Sequence, residues 1–162
     1  MKYLKHYEKT VDILASPEEI FDYVDDHLNF SSHMNKSNMM MGGGMMKTEF
    51  DQGGGKAVGS HIKMQGSVFG IDIYLDEVVT THNPPYKKTW QTVGTPNLIV
   101  IGDYEMGFEI TKNGGKSDFK VFINYNLPTG IFTKLFGILL SGFYAKWCVN
   151  QMIKSTSIFT KS

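Results

Sequence analysis

Two segments at opposite ends of the chain constrain its fold more than any others. Residues 3–14 are predicted to form a strand that leads directly into the start of a helix. Ser16 suits the N-cap of this helix, Pro17 its first position and Glu19 the capping-box position. At the other end, residues 129–159 form the only stretch long enough for a long helix, and Thr129 can cap this helix. Strand-like segments fill most of the chain between them, so the order predicts an α+β fold in which an antiparallel sheet wraps around one long helix.

The segment after the first helix is less regular. Residues 27–34 predict a second short helix or a turn, and residues 38–52 predict a strand that Gly42-Gly43-Gly44 weakens. Gly53-Gly54-Gly55 then predicts a turn. After the Pro84-Pro85 break, residues 87–93 predict a further strand that contains Trp90.

Two hairpins can be put in register by pairing opposite charges and apolar faces. A tip at Phe69-Gly70 places Lys63 opposite Asp76, and a tip at Gly114-Gly115 places Glu109 opposite Lys120. A slip of one residue in the second hairpin would oppose Glu109 to Asp118 and mix the two faces. The second register also predicts these apolar pairs: Ile110 with Phe119, Phe108 with Val121, Met106 with Ile123 and Tyr104 with Tyr125.

Composition narrows the function classes. With 162 residues the chain predicts one domain, 1–162, with 41% apolar residues to build a core. The net charge is zero and no arginine is present, which argues against nucleic acid as a partner. The charge is nevertheless uneven: residues 119–162 contain five lysines and no acidic residue.

The sequence offers little for metals, cofactors or export. A single cysteine, Cys148, excludes an intrachain disulfide, and the five histidines have no metal-ligand spacing, so neither a metal site nor a cofactor is expected. Six methionines could bind Cu(I), but a flexible apolar lining is the favoured reading: Met34, Met39, Met40, Met41, Met45 and Met46. The first residues contain no apolar signal run, and Lys134 and Lys146 interrupt the longest apolar stretch, so a cytoplasmic protein is expected.

Three segments carry a resemblance to a known superfamily. They are the strand-to-helix segment 11–24, the stretch from Val78-Val79 through Pro84-Pro85-Tyr86 to Trp90, and the terminal helix with Tyr144-Ala145-Lys146-Trp147. Together they resemble the helix-grip (SRPBCC, START-like) superfamily of polyketide cyclases, lipid-transfer domains and pollen-allergen-like proteins. The resemblance implies a seven-stranded antiparallel sheet gripping the last helix over a hydrophobic cavity, with two short helices after the first strand. It implies no particular reaction.

The expected function is therefore the binding or transport of a small hydrophobic, amphipathic or lipid-like ligand between the sheet and the last helix. Phe143 and Trp147 stand four residues apart in that helix and are expected to close the cavity together. The predicted ligand-binding residues are Met34, Met64, Leu75, Trp90, Tyr104, Met106, Phe108, Val121, Ile123, Phe143 and Trp147.

Two alternatives remain open at this point. One is a cyclase- or dehydratase-type enzyme that uses a tyrosine, His33 or an aspartate in the same cavity, and a polar pair reaching the cavity would favour it. The other is a module that contacts a membrane or partner through the basic, apolar C-terminal helix, which an exposed 136–144 patch would favour. The sequence favours the binder over both, and it specifies neither the ligand nor the oligomeric state.

Overall fold

The computed structural model describes residues 3–26, 30, 46–68 and 70–160. Of the side chains in this part, those at 68, 131–134, 136 and 160 are not described. The strands and helices are, in chain order, β1 (Lys5–Ile13), α1 (Pro17–Asp25), β2 (Met46–Phe50), β3 (His61–Val68), β4 (Ile71–Asn83), β5 (Lys87–Asn97), β6 (Tyr104–Asn113), β7 (Lys116–Tyr125), α2 (Ile131–Ser155) and a 3₁₀ helix (Thr156–Thr160).

The seven strands form one antiparallel sheet in the order β1-β7-β6-β5-β4-β3-β2. Both predicted hairpin registers are confirmed: Lys63 lies opposite Asp76 and Glu109 lies opposite Lys120. The helix-grip fold class expected from the sequence is therefore confirmed. The strand predicted at 87–93 is longer than expected, because β5 continues to Asn97.

The sheet has one apolar face and one charged face. Along β6 and β7 the buried residues alternate with partly exposed ones, and the buried set faces the helices. The exception is the outward-facing pair of Gly107 and Phe122, where the Phe122 ring covers the glycine and both residues are buried. On the opposite face Glu109 bonds both Lys87 at 2.8 Å and Lys120 at 2.5 Å. Because these pairs are partly exposed, they fix the register of the face more than they add to stability.

Helix α1 begins as predicted. The Ser16 side chain accepts from the Glu19 amide, and the Glu19 carboxylate accepts from the Ser16 amide at 2.8 Å. Its buried face packs against β6, where Phe21 lies 5.5 Å from Phe108 in an edge-to-face contact. Phe30 completes this aromatic core beside Trp90, Phe108 and Phe119. Apart from Phe30, the second short helix predicted at 27–34 lies outside the described residues.

The strand predicted at 38–52 is seen only in part. Its described portion, β2, ends at Phe50, and Asp51 begins the following turn. Residues 38–45 lie outside the described residues. The turn predicted at Gly53-Gly54-Gly55 is confirmed, with Gly54 and Gly55 at positive φ.

Helix α2 contacts β1 and β7 and starts two residues later than the sequence suggested. Gly130, not Thr129, holds the N-cap position, and no side chain caps the helix. Gly137 allows the first half of α2 to lie close to Val100 and Pro128. A Cβ added there would lie 2.7 Å from Pro128 Cδ and 3.1 Å from the Val100 carbonyl oxygen. Within the described ranges, no helix is both long and apolar enough to cross a membrane.

Two glycines of α2 allow a matched stability test. Gly137→Ala should destabilise the protein by about 1–3 kcal/mol, because the new methyl group meets backbone and proline atoms that cannot move aside easily. Gly142→Ala meets nothing within 4 Å, so it should stabilise the protein by up to about 1 kcal/mol through helix propensity. Denaturant unfolding measures both; equal effects of the two variants would contradict the close approach at Gly137.

Candidate functional site

The structure brings most of the predicted ligand-binding residues together. The residues that lie buried on the apolar face of the sheet are Met64, Leu75, Trp90, Tyr104, Met106, Phe108, Val121 and Ile123. They come from β3, β4, β5, β6 and β7, and α2 lies on the same side of the sheet. Their role in binding a ligand stays a prediction.

The helix residues of the prediction behave differently from one another. Trp147 is partly buried and packs against the core, and its ring lies 5.8 Å from that of Tyr144. Phe143 is 61% exposed, so the expectation that it closes the cavity with Trp147 is wrong for this side chain. The inward position belongs to its neighbour Tyr144, because a step of one residue turns a helix by about 100°. Met34 and His33 lie outside the described residues.

A buried carboxyl group that the sequence did not predict as part of the site also lies on this face. Glu77 on β4 is only 1% exposed, and the Tyr104 hydroxyl of β6 donates a hydrogen bond to its Oε1. The Trp90 side chain of β5 also hydrogen-bonds Glu77. Side chains from three adjacent strands thus converge on one acidic group in a mostly apolar surface.

The surroundings of Glu77 set its charge state. Burial raises its pKa from 4.5 to about 7, and the nearby Asp76 adds to the rise. The hydrogen bonds from Tyr104 and Trp90, with the more distant Lys88 charge, counteract it only in part. Glu77 can therefore exchange a proton near neutral pH, as a general acid or base must.

Two groups on α2 extend this polar centre. Tyr144 and Cys148 are hydrogen-bonded to each other one turn apart, and both raise the pKa of Tyr104 electrostatically. Burial raises the pKa of Cys148 to about 12 and that of Tyr144 well above its usual value. At neutral pH these three groups are therefore uncharged, and within this set Glu77 alone titrates.

The local geometry of β5 and β6 supports Tyr104. The register pairs Glu77 with Thr92, and β5 and β6 stop pairing after Gln91 and Glu105. Beyond this point the Thr92 side chain bonds the Tyr104 backbone in place of a backbone pair. Its hydroxyl accepts from the Tyr104 amide at 3.0 Å and donates to the Tyr104 carbonyl at 3.4 Å. The Tyr104 ring is held where its hydroxyl reaches Glu77.

A second buried polar cluster lies nearer α1. Lys88 is 1% exposed, and its ammonium donates to the Asp25 carboxylate at 2.7 Å and the Asp25 carbonyl at 2.9 Å. His82 Nε2 lies 3.0 Å from the same carboxylate. Burial lowers the pKa of Lys88, while its bonds to Asp25 oppose that shift. Because Lys88 bonds the last residue of α1, this cluster anchors the end of that helix to the sheet.

Both missed groups had a signal in the sequence. Glu77 stands between Leu75 and Val79 at the two-residue spacing of a strand, so it had to share their apolar face. Lys88 stands two residues before Trp90 in the same way. The neighbouring acid Asp76 lies instead on the outer face and bonds His61 Nδ1 at 2.9 Å.

Two open recesses occur at the β2 end of the sheet. One, of about 400 Å³, lies on the outer face around His61, Lys63 and Asp76. The other, of about 880 Å³, combines buried inner-face residues Met46 and Ile73 with polar Gln65 and Asp72. Gly66 lies between Met46 and Ile73 in the register and leaves room for this second recess. The cavity expected between the sheet and α2 stays a prediction.

Among the described side chains, no three histidine, cysteine, aspartate or glutamate residues gather as a metal site would require. The methionine cluster other than Met46 lies outside the described residues. Met46 itself is buried in β2 opposite Gly66.

Solved structures share this architecture at low sequence identity. Truncated norcoclaurine synthase from Thalictrum flavum superposes with a TM-score of 0.68 at 14% identity, covering 100% of this chain and 97% of that one. Ara h 8.0201 superposes with a TM-score of 0.55 at 12% identity, covering 93% of this chain and 98% of that one. Major latex-like protein 151 from Panax ginseng superposes with a TM-score of 0.54 at 13% identity, covering 93% of this chain and 95% of that one. These structures confirm the helix-grip fold that the sequence predicts.

No family model matches the sequence, and no curated protein matches it.

The raised pKa of Glu77 predicts a pH-dependent stability. Between pH 4.5 and about 7 the folded protein keeps a proton that the unfolded chain has released, so stability falls as pH rises through this window. The fall due to Glu77 should amount to about 3 kcal/mol. Glu77→Gln stays uncharged at every pH, so the stability difference between the variant and wild type should change by that amount from pH 4 to pH 8.

Denaturant unfolding across this pH range measures the difference. Glu18→Gln, on the exposed side of α1, is the control for the same chemical change at a solvent-exposed position. A Glu77→Gln difference from wild type that stays constant from pH 4 to pH 8 would contradict the raised pKa.

Proposed function

We propose that the protein binds a small apolar or amphipathic, lipid-like molecule between the inner face of the sheet and α2. The ligand's apolar part would contact the face formed by Leu75, Met106 and Val121. Its polar end would meet Glu77 and Tyr104. The observation that carries the proposal is this single acidic group, buried where five strands present mostly apolar side chains.

The energetic cost of Glu77 supports a ligand role over a purely structural one. A buried carboxyl costs several kcal/mol to desolvate, and an apolar residue in the same place is often as stable or more stable. Lys88 is also buried, but its ammonium bonds the carbonyl and the carboxylate of Asp25, so Lys88 stabilises the fold. Glu77 is held by uncharged donors and keeps an exchangeable proton. A polar ligand group gives such a residue a function.

The fold supports an interior site, since the helix-grip superfamily that the sequence resembles holds its cavity between the sheet and the last helix. The recess at Met46, Gly66 and Ile73 contains buried inner-face residues and is open to solvent. It is the entrance that we infer for a ligand.

Two probes of equal size test the polar end of the site. 2-Naphthol and 2-methylnaphthalene differ by a hydroxyl in place of a methyl group. We expect calorimetry to show wild-type protein binding 2-naphthol about tenfold more tightly, because its hydroxyl can donate to the Glu77 carboxylate. The double variant Glu77→Leu/Tyr104→Phe should lose this preference and still fold, since both hydrogen-bonding partners become apolar groups of similar size.

Equal affinity of wild type for the two probes would contradict the polar anchor. Binding of neither probe, even at high protein concentration, would contradict the interior site. Loss of the preference in the double variant with retained binding of 2-methylnaphthalene would support both parts.

A cyclase- or dehydratase-type enzyme is the second candidate, and the pKa of Glu77 is the observation that favours it. A buried carboxyl with a pKa of about 7 is suited to remove a proton next to a carbonyl and to return it. Tyr104 bonds this carboxyl and holds it in place. The site is the same as for the binder.

Hydrogen exchange in D₂O tests this candidate without knowledge of the substrate. An apolar ketone, 2-tetralone, should exchange the hydrogens beside its carbonyl faster with wild-type protein, and the rate should rise through pH 7 as Glu77 loses its proton. Glu77→Gln should remove the acceleration, and Glu18→Gln should keep it. If proton NMR shows no acceleration although 2-tetralone binds, the enzyme candidate is contradicted and the binder stands.

A further inference from the structure

The first half of α2 presents an apolar surface to solvent. Leu135, Leu139 and Phe143 follow one another at four-residue spacing and so form one line along the helix. Leu139 is 71% exposed and Phe143 61%. We call the exposed apolar residues the α2 outer face; they are Leu135, Ile138, Leu139, Leu140 and Phe143. Adjacent exposed side chains of this size, unlike single scattered ones, mark an interaction surface.

The packing of α2 fixes this orientation. Gly137 lies against Pro128 and Val100, where a Cβ would not fit. Ser141, Ala145 and Val149 are fully buried and continue this inward side along the helix at four-residue spacing. Turning the outer face inward would expose these residues and break the contact at Gly137. The apolar surface is therefore a stable feature of the fold.

Lysines border the outer face. Lys146 is exposed one turn after Phe143, and its ammonium lies 5.9 Å from the centre of the Tyr7 ring. Lys5 donates to the Ser141 hydroxyl at 3.3 Å, and Lys9 donates to the Asn150 side chain at 2.7 Å. These partners are uncharged, so they hold the ammonium groups beside α2 without neutralising them.

Acidic groups of the neighbouring strands point the other way. Alternation places Lys5, Tyr7 and Lys9 of β1 on the α2 side and Glu8 and Asp12 on the opposite face. Glu105 likewise alternates with the buried Tyr104 and bonds Asn124 on the outer side of the sheet. From residue 119 onward the sequence contains no acid at all. The α2 outer face is therefore apolar with a cationic border.

We propose that the α2 outer face docks on an anionic lipid surface. Exposed leucines and a phenylalanine beside lysines match the apolar boundary and the negative headgroups of such a bilayer. A second copy of this chain fits less well, since a two-fold interface on this face would bring the lysines of both copies together. The proposal does not depend on the interior ligand, and its test is independent of Glu77.

Vesicle flotation at low salt tests the proposal. Full-length protein should float with vesicles of phosphatidylcholine and phosphatidylserine, float much less with phosphatidylcholine alone, and be released from the anionic vesicles by high salt as the charges are screened.

Two matched pairs of variants locate the surface. Leu139→Glu should reduce the bound fraction at least about tenfold. Val58→Glu should leave it unchanged, although Val58 is also exposed (64%), because Val58 lies in the turn between β2 and β3 and not on α2. Lys146→Gln should weaken partitioning about fivefold, whereas Lys112→Gln, on the exposed end of β6, should leave it unchanged. All four positions are exposed, so the variants should fold like wild type, and thermal unfolding checks this.

Three outcomes would overturn the proposal. The first is wild-type protein that stays unbound with anionic vesicles at low salt. The second is an equal loss of flotation in Leu139→Glu and Val58→Glu. The third is a dimer in light scattering that Leu139→Glu dissociates while vesicles bind nothing, which would assign the surface to a second copy of the chain. None of these outcomes bears on the binding of 2-naphthol.

Discussion

Every pair of neighbouring strands in the sheet is antiparallel, so a slip of one residue in any pair would turn its apolar side chains away from α2 and towards water. This constraint holds the structure together. Opposed charges on the outer face, such as Glu109 with Lys120, agree with the apolar pairing on the inner face. The charge pairs of the outer face and the apolar pairs of the inner face therefore select the same strand register. The inner face, the core and the candidate site all depend on this agreement.

Glu77 and Lys88, which are both charged in water at neutral pH, are buried on the inner face with different kinds of partner. Lys88 bonds the Asp25 carboxylate and carbonyl, so the charge that burial disfavours is matched by an opposite charge and the helix end is tied to the sheet. Glu77 meets uncharged donors from Tyr104 and Trp90, which offset its desolvation only in part. Its pKa consequently lies near neutrality. One group stabilises the fold, and the other is left able to change its charge.

Helix α2 serves both sides of the molecule. Its apolar residues occupy almost the whole circumference, which is typical of a helix that is buried or that meets a second apolar phase. In this fold Tyr144 and Cys148 face the polar centre at Glu77, while Leu139 and Phe143 face solvent. The proposed interior site and the α2 outer face therefore share one helix, although the binding proposed for each depends on different chemistry.

Much of the fold followed from the sequence because its signals are local or pairwise. Ser16 and Glu19 are close enough in the chain to cap a helix by themselves, and the charges at 63, 76, 109 and 120 select one register in each hairpin. The start of α2 was placed wrongly at Thr129 because a threonine suits a cap, whereas Gly130 takes that position without any side-chain bond. Which of Phe143 and Tyr144 points inward could not be read either, since a helix that is apolar all round carries no preferred phase. Only contact with β1 and β7, and the close approach at Gly137, decided it. The sequence by itself determined that Glu77 shares a face with Leu75 and Val79. That this carboxyl holds its proton near neutral pH was decided by tertiary structure, because its pKa depends on burial and on donors from two other strands.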